Sequence, residues 1–476
     1  MESLDSGYQA EHDTIAAIAT AAGRGGIGIV RISGSRSVDI ARTLFRRKAR
    51  TIGQPRGADY TLAPRRINHG FITNPGDGLH LDEVLLAFMP APHSYTCEDV
   101  IEIQCHGGPI VLQKILGLVL ANGARPAEAG EFTRRAFING RIDLTQAEAV
   151  ADLINARSDS ALRLAARQLG GGLKQKIIAI IGQVTDMLAD IEAELEFGED
   201  GVSGVSQERL TSTSVRDRLV VPMRKLVESY HLGRTIRDGL RLAIVGRANV
   251  GKSSLLNRLI ECDKAIVTPF PGTTRDPVEA SITIDNVVID LVDTAGIRDS
   301  QDPVERIGIQ KSQEALNAAE LALFVIEAQS PTTGDDDRIF GEIKGKSFIL
   351  VANKIDLMGA YQMPVLAKAY AQCDPVLVSA RSGQGLEALK ARIVKFCRQT
   401  AEGENEHVLC DLRHKNALGS ALNAACRAAE GLDDNGPLDM VSMDLKHALV
   451  QLQSIIGERV EPGVLDAIFK KFCIGK

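Results

Sequence analysis

The chain has 476 residues, enough for about three domains at ~150 residues each. Hydrophobic residues make up 44% and charged residues 24%, a globular composition that excludes a disordered or low-complexity chain. The 55 Lys and Arg against 61 Asp and Glu give a net charge of −6, which excludes a protein that coats nucleic acid by bulk charge. Aromatics at 4%, with no Trp, disfavour a stacking groove for single strands. No apolar run approaches the ~18 residues that would span a bilayer, and the polar stretch Met1 to Asp13 has no basic-then-apolar signal. The eight cysteines (97, 105, 262, 373, 397, 410, 426 and 473) form no CxxC and read as reduced thiols. The expectation is a cytoplasmic chain that makes no use of a membrane.

The first part, 1–138, reads as α+β. Strands are expected over Gly28–Ile32 and Glu83–Met89, with helical spacing over Asp39–Phe45 and Pro109–Leu120 and a turn at Asn74-Pro75-Gly76-Asp77-Gly78. Between Arg31 and Arg66 there are 10 basic residues against Asp39 and Asp59, a basic stretch that either is solvated or meets an anionic partner. From 139 to 237 the period is helical. Thr145 with Glu148 three residues on is expected to be the capping box that opens this segment, and Gly170-Gly171-Gly172 breaks it. From 238 to 402 strand, loop and helix alternate, with strands expected at Leu240–Val245, Val287–Val292, Leu321–Ile326, Phe348–Val351 and Val376–Val378. That alternation predicts a mostly parallel, doubly wound sheet. Helical spacing returns over 403–476. An α/β unit flanked by helical segments predicts a multidomain α/β protein in which the unit is inserted into one discontinuous helical domain.

Chemistry is concentrated in the inserted unit. Gly246-Arg-Ala-Asn249-Val250-Gly251-Lys252-Ser253 is a G-x-x-x-x-G-K-S loop between an expected strand and an expected helix that begins near Ser254. Its glycines let backbone N–H groups turn onto phosphate oxygens, Lys252 reaches the β/γ-phosphates, and the Ser253 hydroxyl suits Mg²⁺. Two later strand ends select the base. In Asn353-Lys354-Ile355-Asp356 the Asp356 carboxylate can accept from guanine N1 and N2, which adenine cannot match, and Ser379-Ala380-Arg381 can offer backbone N–H to guanine O6. Asp293-Thr294-Ala295-Gly296 completes the set, its Asp suited to a Mg²⁺-bound water and its Gly N–H to the γ-phosphate. The expectation is a P-loop, Ras-like GTPase domain. Position 297 is Ile where a water-positioning Gln would stand, so the attacking water needs another residue.

The segment Thr268-Pro269-Phe270-Pro271-Gly272-Thr273-Thr274-Arg275-Asp276, together with Asn249, resembles the potassium-activated branch of translation-factor-like GTPases. That resemblance implies K⁺ on Asn249, Thr268, Phe270 and Thr273, supplying the charge that an arginine finger otherwise brings, and Mg²⁺ on Ser253 and Thr274. The nucleotide contacts then run through 249–254, Ser254 included, and 268–274.

With the terminal Cys473-Ile474-Gly475-Lys476 and the N-terminal Arg24-Gly-Gly-Ile-Gly-Ile-Val-Arg31-Ile-Ser-Gly34, these motifs resemble the MnmE (TrmE) family of tRNA uridine-34 modification GTPases from about residue 14 to 476. The resemblance implies a folate-binding, aminomethyltransferase-like domain over 1–138 that also dimerises, helical parts over 139–237 and 403–476, and a G domain over 238–402. It implies a homodimer working with an MnmG-like flavoprotein that uses FAD and NADH, in a heterotetramer, to add a carboxymethylaminomethyl or aminomethyl group to wobble uridine in tRNA. It further implies 5-formyl-tetrahydrofolate contacts at Arg31, Glu102, Arg141 (often Lys in the family) and Lys476. Glu would accept from the pterin, and cations would pair with its glutamate tail. Glu305, on its own a helix-start acid favoured by the dipole, takes the water-aiming role by this resemblance. Cys473 is placed near the folate region, as a thiol open to modification or as an inert one. The Era/EngA group shares the G domain but appends an RNA-binding KH-like domain, and no G-x-x-G clamp follows residue 402 here.

Overall fold

The computed structural model describes residues 13–47, 62–197, 210–262, 280–293, 316–317, 319–358, 370, 373–399, 408–460 and 462–476. The chain divides into two compact units, one of Met1–Ala151 with Gln453–Lys476 and the other of Asp152–Leu452.

The first unit is built on a seven-stranded sheet. Its strands are β1 (Ile15–Ile18), β2 (Ile27–Ser33), β3 (Phe45–Arg47), β4 (Ile67–Thr73), β5 (His80–Met89), β6 (Val100–His106) and β7 (Arg125–Pro126). They lie in the order β3-β4-β5-β6-β2-β1-β7, antiparallel except for the short β1–β7 pair. The alternation along β2 and β6 sends Val30, Ile32, Ile101 and Ile103 into a core closed by the helices Ser37–Leu44 and Pro109–Ala121 through Ile40, Leu44, Leu112 and Ile115. The intervening residues of the same two strands face the other way. Because β2 and β6 pair with Arg31 opposite Glu102, the register alone brings a cation and a carboxylate together on that second face.

The last residues of the chain belong to this unit. Helix Pro462–Phe469 packs Leu465, Ile468 and Phe469, with Phe472 beyond it, onto Leu144 and Ala147. Ile474 then forms a bridge with Ala129. Gly475 has φ +97, and a Cβ there would sit 2.4 Å from the Ile18 carbonyl oxygen, so only glycine allows this approach. Helix Leu144–Asn155 starts two residues earlier than a cap at Thr145 would place it. Asp143 is the cap, its Oδ1 accepting from the N–H groups of Thr145 (2.8 Å) and Gln146 (3.1 Å), while Gln146 Oε1 accepts from the Asp143 N–H (3.1 Å). An ionised Asp is at least as good a cap as Thr and favours the positive helix end, so the box is Asp143/Gln146 rather than Thr145/Glu148.

The second unit carries a six-stranded sheet of β8 (Leu240–Val245), β9 (Ala280–Ile284), β10 (Val287–Asp293), β11 (Leu321–Glu327), β12 (Phe348–Asn353) and β13 (Val376–Leu377), in the order β13-β12-β11-β8-β10-β9. All pairs are parallel except β9–β10. That edge hairpin, absent from the expected elements, turns through Asp285 (φ +46) and Asn286 (φ +65), the two positive φ values of a type I′ turn. Helices before and after the sheet pack on each other: Arg216 pairs with Asp433, Gly233 lies against the Leu409 backbone, and the Ser229 hydroxyl accepts from the Leu409 N–H at 3.1 Å. The α/β segment is therefore an insertion between helices of one bundle. The expected helix 210–230 starts at Ser212, widens to a π-turn over Arg216–Val220 just ahead of Pro222, and breaks at Ser229 before a further helix, Tyr230–Asp238. Proline cannot donate to its own preceding turn, and the widened turn accommodates its ring.

Candidate functional site

The nucleotide loops lie at the carboxyl ends of β8, β11, β12 and β13. Gly246 (φ +154) leaves β8 so close to β11 that a Cβ would be 2.2 Å from the Val325 carbonyl oxygen. Asn249 takes the left-handed conformation (φ +63) and is exposed, an arrangement in which Asn is tolerated and its amide is left at the loop surface. Helix Lys252–Cys262 begins at once, with Ser253 and Ser254 exposed in its first turn, where unpaired N–H groups and the helix dipole favour anions. The Lys252 ammonium folds back over the loop and donates to the carbonyls of Gly246 (2.7 Å) and Arg247 (2.9 Å).

Asn353 holds three loops in register. Its side chain is buried; Nδ2 donates to the Val250 carbonyl at 2.8 Å, and Oδ1 accepts from the Ala380 N–H at 3.0 Å. It thereby ties the phosphate loop to the Ser379-Ala380-Arg381 loop. Gly251 (φ +96) is needed beneath it, since a Cβ there would meet Nδ2 at 2.3 Å. Asp356 lies in a 3₁₀ turn, Ile355–Leu357, exposed, with the Ser379 hydroxyl donating to its Oδ1 at 2.6 Å. Ser379 is itself buried and accepts from the Ser382 N–H at 3.1 Å. The two motifs expected to read the base thus lock each other through side chains. The backbone of Asp293 ends β10, paired with Ile244 of β8. Thr268, Pro269, Phe270, Pro271, Gly272, Thr273, Thr274, Thr294, Ala295, Gly296 and Glu305 lie outside the described residues.

In the first unit Arg31, Glu102 and Arg141 come together around Tyr95. Arg31 Nε donates to Glu102 Oε1 at 2.9 Å, with Nη2 at the same distance, and Arg31 Nη1 donates to the Gly475 carbonyl at 3.1 Å. Its guanidinium lies between two rings, 5.9 Å from the Tyr95 centroid and 5.6 Å from that of Phe132. Arg141 stacks on Tyr95 at 4.9 Å and donates to its backbone carbonyl at 2.7 Å. Met89, Pro92, His93, Ser94, Tyr95 and Arg141 line an open pocket of about 510 Å³. Of the cluster, Arg141 and Tyr95 line this pocket, a guanidinium and an aromatic face suited to a flat ligand with an anionic group, while Arg31 and Glu102 pair beside Tyr95 without lining it. Lys476 is half-buried, with its N–H 3.4 Å from the Cys473 carbonyl, and Cys473 is exposed.

The same unit holds an ion network that sequence reasoning missed, centred on the buried Arg135 and Glu131 and reaching out to the exposed Asp13. Arg135 reaches Glu98 (3.0 Å), Asp13 (2.6 Å) and Glu131 (3.0 Å), and Arg125 shares Asp13 and Glu131. Burial raises the Glu131 pKa, but hydrogen bonds from Arg125, the Glu128 N–H and Arg135 outweigh it and hold the carboxyl below its ordinary value. The signal for it was the Glu131/Arg135 spacing of one helical turn. Tyr95 also went unremarked, and nothing in its spacing marks it. Among the described residues no group of three or more His, Cys, Asp or Glu is arranged to hold a metal ion, and no helix is long and apolar enough to cross a membrane.

A glycine-rich loop between a central parallel strand and a helix, locked by Asn353 to the two loops beside it, defines a P-loop GTPase domain. Families described as "GTP-binding protein TrmE N-terminus" and "MnmE helical domain" match residues 14–141 and 144–473. A "tRNA modification GTPase MnmE" of Carboxydothermus hydrogenoformans is 42% identical over 98% of this chain and 99% of its own length; one of Acetivibrio thermocellus is 42% identical over 98% and 100%. Among solved structures, that of Aquifex aeolicus Era bound to GDP.AlF4- is 30% identical over 39% of this chain and 66% of its own, with a TM-score of 0.28. The chain belongs to the MnmE (TrmE) family, and it is a GTP hydrolase.

Proposed function

We propose that this GTPase acts in the modification of wobble uridine 34 of tRNA, as a homodimer with an MnmG-like FAD- and NADH-dependent flavoprotein, adding a carboxymethylaminomethyl or aminomethyl group at C5. The observation that carries the reading is that one chain combines the Asn353-locked nucleotide loops with a separate cation–carboxylate–aromatic cluster, and resembles tRNA modification GTPases along nearly its whole length. The domain division 1–138, 139–237, 238–402 and 403–476 is part of the same proposal, as is a cytoplasmic location.

In this reading the backbone of 249–254 and Lys252 cradle the phosphates, and Asp356, held by Ser379, accepts from guanine N1 and N2 while the Ser379-Ala380-Arg381 backbone, whose Ala380 N–H already donates to Asn353, offers a further N–H to O6. Ser253, exposed in the first helical turn, and Thr274 would hold Mg²⁺, which offsets phosphate charge. Asn249, with its amide at the loop surface, would hold K⁺ with Thr268, Phe270 and Thr273, adding positive charge where negative charge develops. Glu305 aims the water in place of the absent Gln. In the other unit, Glu102 accepts from the pterin of 5-formyl-tetrahydrofolate while Arg31, Arg141 and Lys476 meet its anionic tail. Cys473, exposed near that end, stands as a thiol open to modification.

The test is nucleoside analysis of tRNA from cells lacking this gene, complemented with the wild type and with a Lys252→Ala variant. The expected result is loss of the C5 substituent on wobble uridine, restored only by the wild type. Unchanged wobble nucleosides would overturn the tRNA reading while leaving the GTPase intact. GTP turnover compared in KCl and NaCl tests the cation: equal rates would remove potassium from the account.

A further inference from the structure

We infer that Glu327 is a positioning residue that couples the phosphate loop to the guanine-reading loop and sets how long a nucleotide stays bound. The inference rests on the nucleotide-binding reading of these loops. Glu327 ends β11, and β11 lies between β8, which feeds the phosphate loop, and β12, which feeds Asn353-Lys354-Ile355-Asp356. The last residue of the middle strand is therefore a point in the sheet from which a side chain can reach both loops, beside the bridge that Asn353 makes.

Its two carboxylate oxygens are divided between them. Oε2 is 3.2 Å from Nη2 of Arg247, the second residue of the phosphate loop, and Oε1 is 3.2 Å from Nζ of Lys354. Backbone contacts hold the strand end in place: Glu327 pairs with Asn353 across β11 and β12, and the Ala328 N–H donates to the Asn353 carbonyl at 2.9 Å. Lys354 is in the left-handed conformation (φ +68), which turns the chain between the buried Asn353 and the exposed Asp356. On the far side, Arg247 Nε also reaches the buried Asp336 at 3.4 Å, and Asp336 accepts from the Thr333 N–H at the start of the following helix. The chain Lys354–Glu327–Arg247–Asp336 carries two positive and two negative charges. All three of Glu327, Arg247 and Lys354 are only 20–31% exposed, so screening by solvent is incomplete.

Without the Glu327 charge, Lys354 loses its partner, and Arg247, left with Asp336 alone, adds its positive charge to that of Lys354 with no carboxylate between them. Lys354 then turns toward water, and the loop that presents Asp356 loses its tether to the phosphate loop. The loss falls on dissociation. The added net positive charge would, if anything, speed the approach of an anionic nucleotide, so association and dissociation move separately.

The experiment is stopped-flow displacement of a fluorescent GDP from the full-length protein, for the wild type, Glu327→Gln, Glu327→Asp, Arg247→Gln and the Glu327→Gln/Arg247→Gln double variant. Glu327→Gln is expected to release GDP about five- to tenfold faster at 0.1 M salt, with the difference shrinking at 1 M, where the Debye length falls to about 3 Å. Glu327→Asp should recover most of the wild-type residence time, and on the Arg247→Gln background Glu327→Gln should cost much less, since one of the two repelling cations is gone. Equal dissociation rates for wild type and Glu327→Gln would overturn the inference. So would an accelerated rate insensitive to salt, to Asp and to Arg247→Gln, which is the behaviour of a residue that only supports the fold. A wild type that binds no fluorescent GDP would instead overturn the nucleotide reading beneath it.

Discussion

Asn353 is where the nucleotide site is most exposed to a single substitution. Its amide makes two buried hydrogen bonds, 2.8 Å to the Val250 carbonyl and 3.0 Å from the Ala380 N–H. Asn353→Ala removes both and strands two buried backbone groups, each costing about 1–3 kcal/mol when left unpaired, so the combined penalty is about 2–6 kcal/mol. If the loops relax to admit water, the fold recovers part of this and the nucleotide bears the rest. With 1.4 kcal/mol per tenfold, a nucleotide share of half the middle of that range, about 2 kcal/mol, is a loss of about 30-fold in affinity. Asn353→Asp makes the sharper test. It keeps an acceptor for Ala380 but sets a carboxylate oxygen against the Val250 carbonyl, where a donor stood, in a site without solvent to relieve the repulsion. Asp should therefore be at least as damaging as Ala despite being nearly isosteric. The assay is equilibrium titration with fluorescent GDP beside the thermal midpoint of the nucleotide-free protein. Wild-type affinity and midpoint in Asn353→Asp would refute the claim that this amide organises the site.

Asp356→Asn should shift preference from GTP toward xanthosine triphosphate, because an amide donates where the base now offers a carbonyl; competition binding with GTP preference unchanged would sink the base-reading role. Glu305→Ala should lower kcat by ~10²-fold or more with little change in GTP affinity, and near-normal single-turnover hydrolysis would return Glu305 to a helix-start acid. Glu102→Ala should weaken 5-formyl-tetrahydrofolate binding in calorimetry while leaving GTP affinity intact, since the Arg31–Glu102 pair belongs to a different unit from the nucleotide loops. The Glu131 carboxyl, lower in the folded protein than its unfolded value near 4, contributes stability that is present above that value and lost as pH falls through the folded one. The acid limb of the thermal midpoint should therefore flatten in Glu131→Gln; an unchanged slope would mean that Glu131 titrates alike in both states.

The nucleotide chemistry was legible in the linear chain because each of its parts is local. A phosphate loop needs glycines at fixed spacing before a lysine and a serine, and a guanine reader needs one carboxylate just past a strand, so short strings carry both. Strand and helix alternation implied a mostly parallel sheet for the same reason, since periodicity is a property of neighbours in sequence. The type I′ turn at Asp285–Asn286 was readable in principle, but the five residues of β9 carried too little pattern to stand as a strand ahead of the expected Val287–Val292. The helix start at Asp143 went to Thr145 because both are good caps, and only the backbone path decides which side chain meets the free N–H groups. What tertiary structure alone decided is which distant residues meet. Arg31 touches the Gly475 carbonyl 444 positions away because β2 lies in the sheet beside the strand against which the chain end is laid, and a glycine permits that approach. Asn353 could be named as part of a base-reading motif, yet its bridge from Val250 to Ala380 exists only once three strand ends are set side by side. The sequence carries the chemistry of each group; long-range strand pairing, which no local pattern encodes, sets the distances between them.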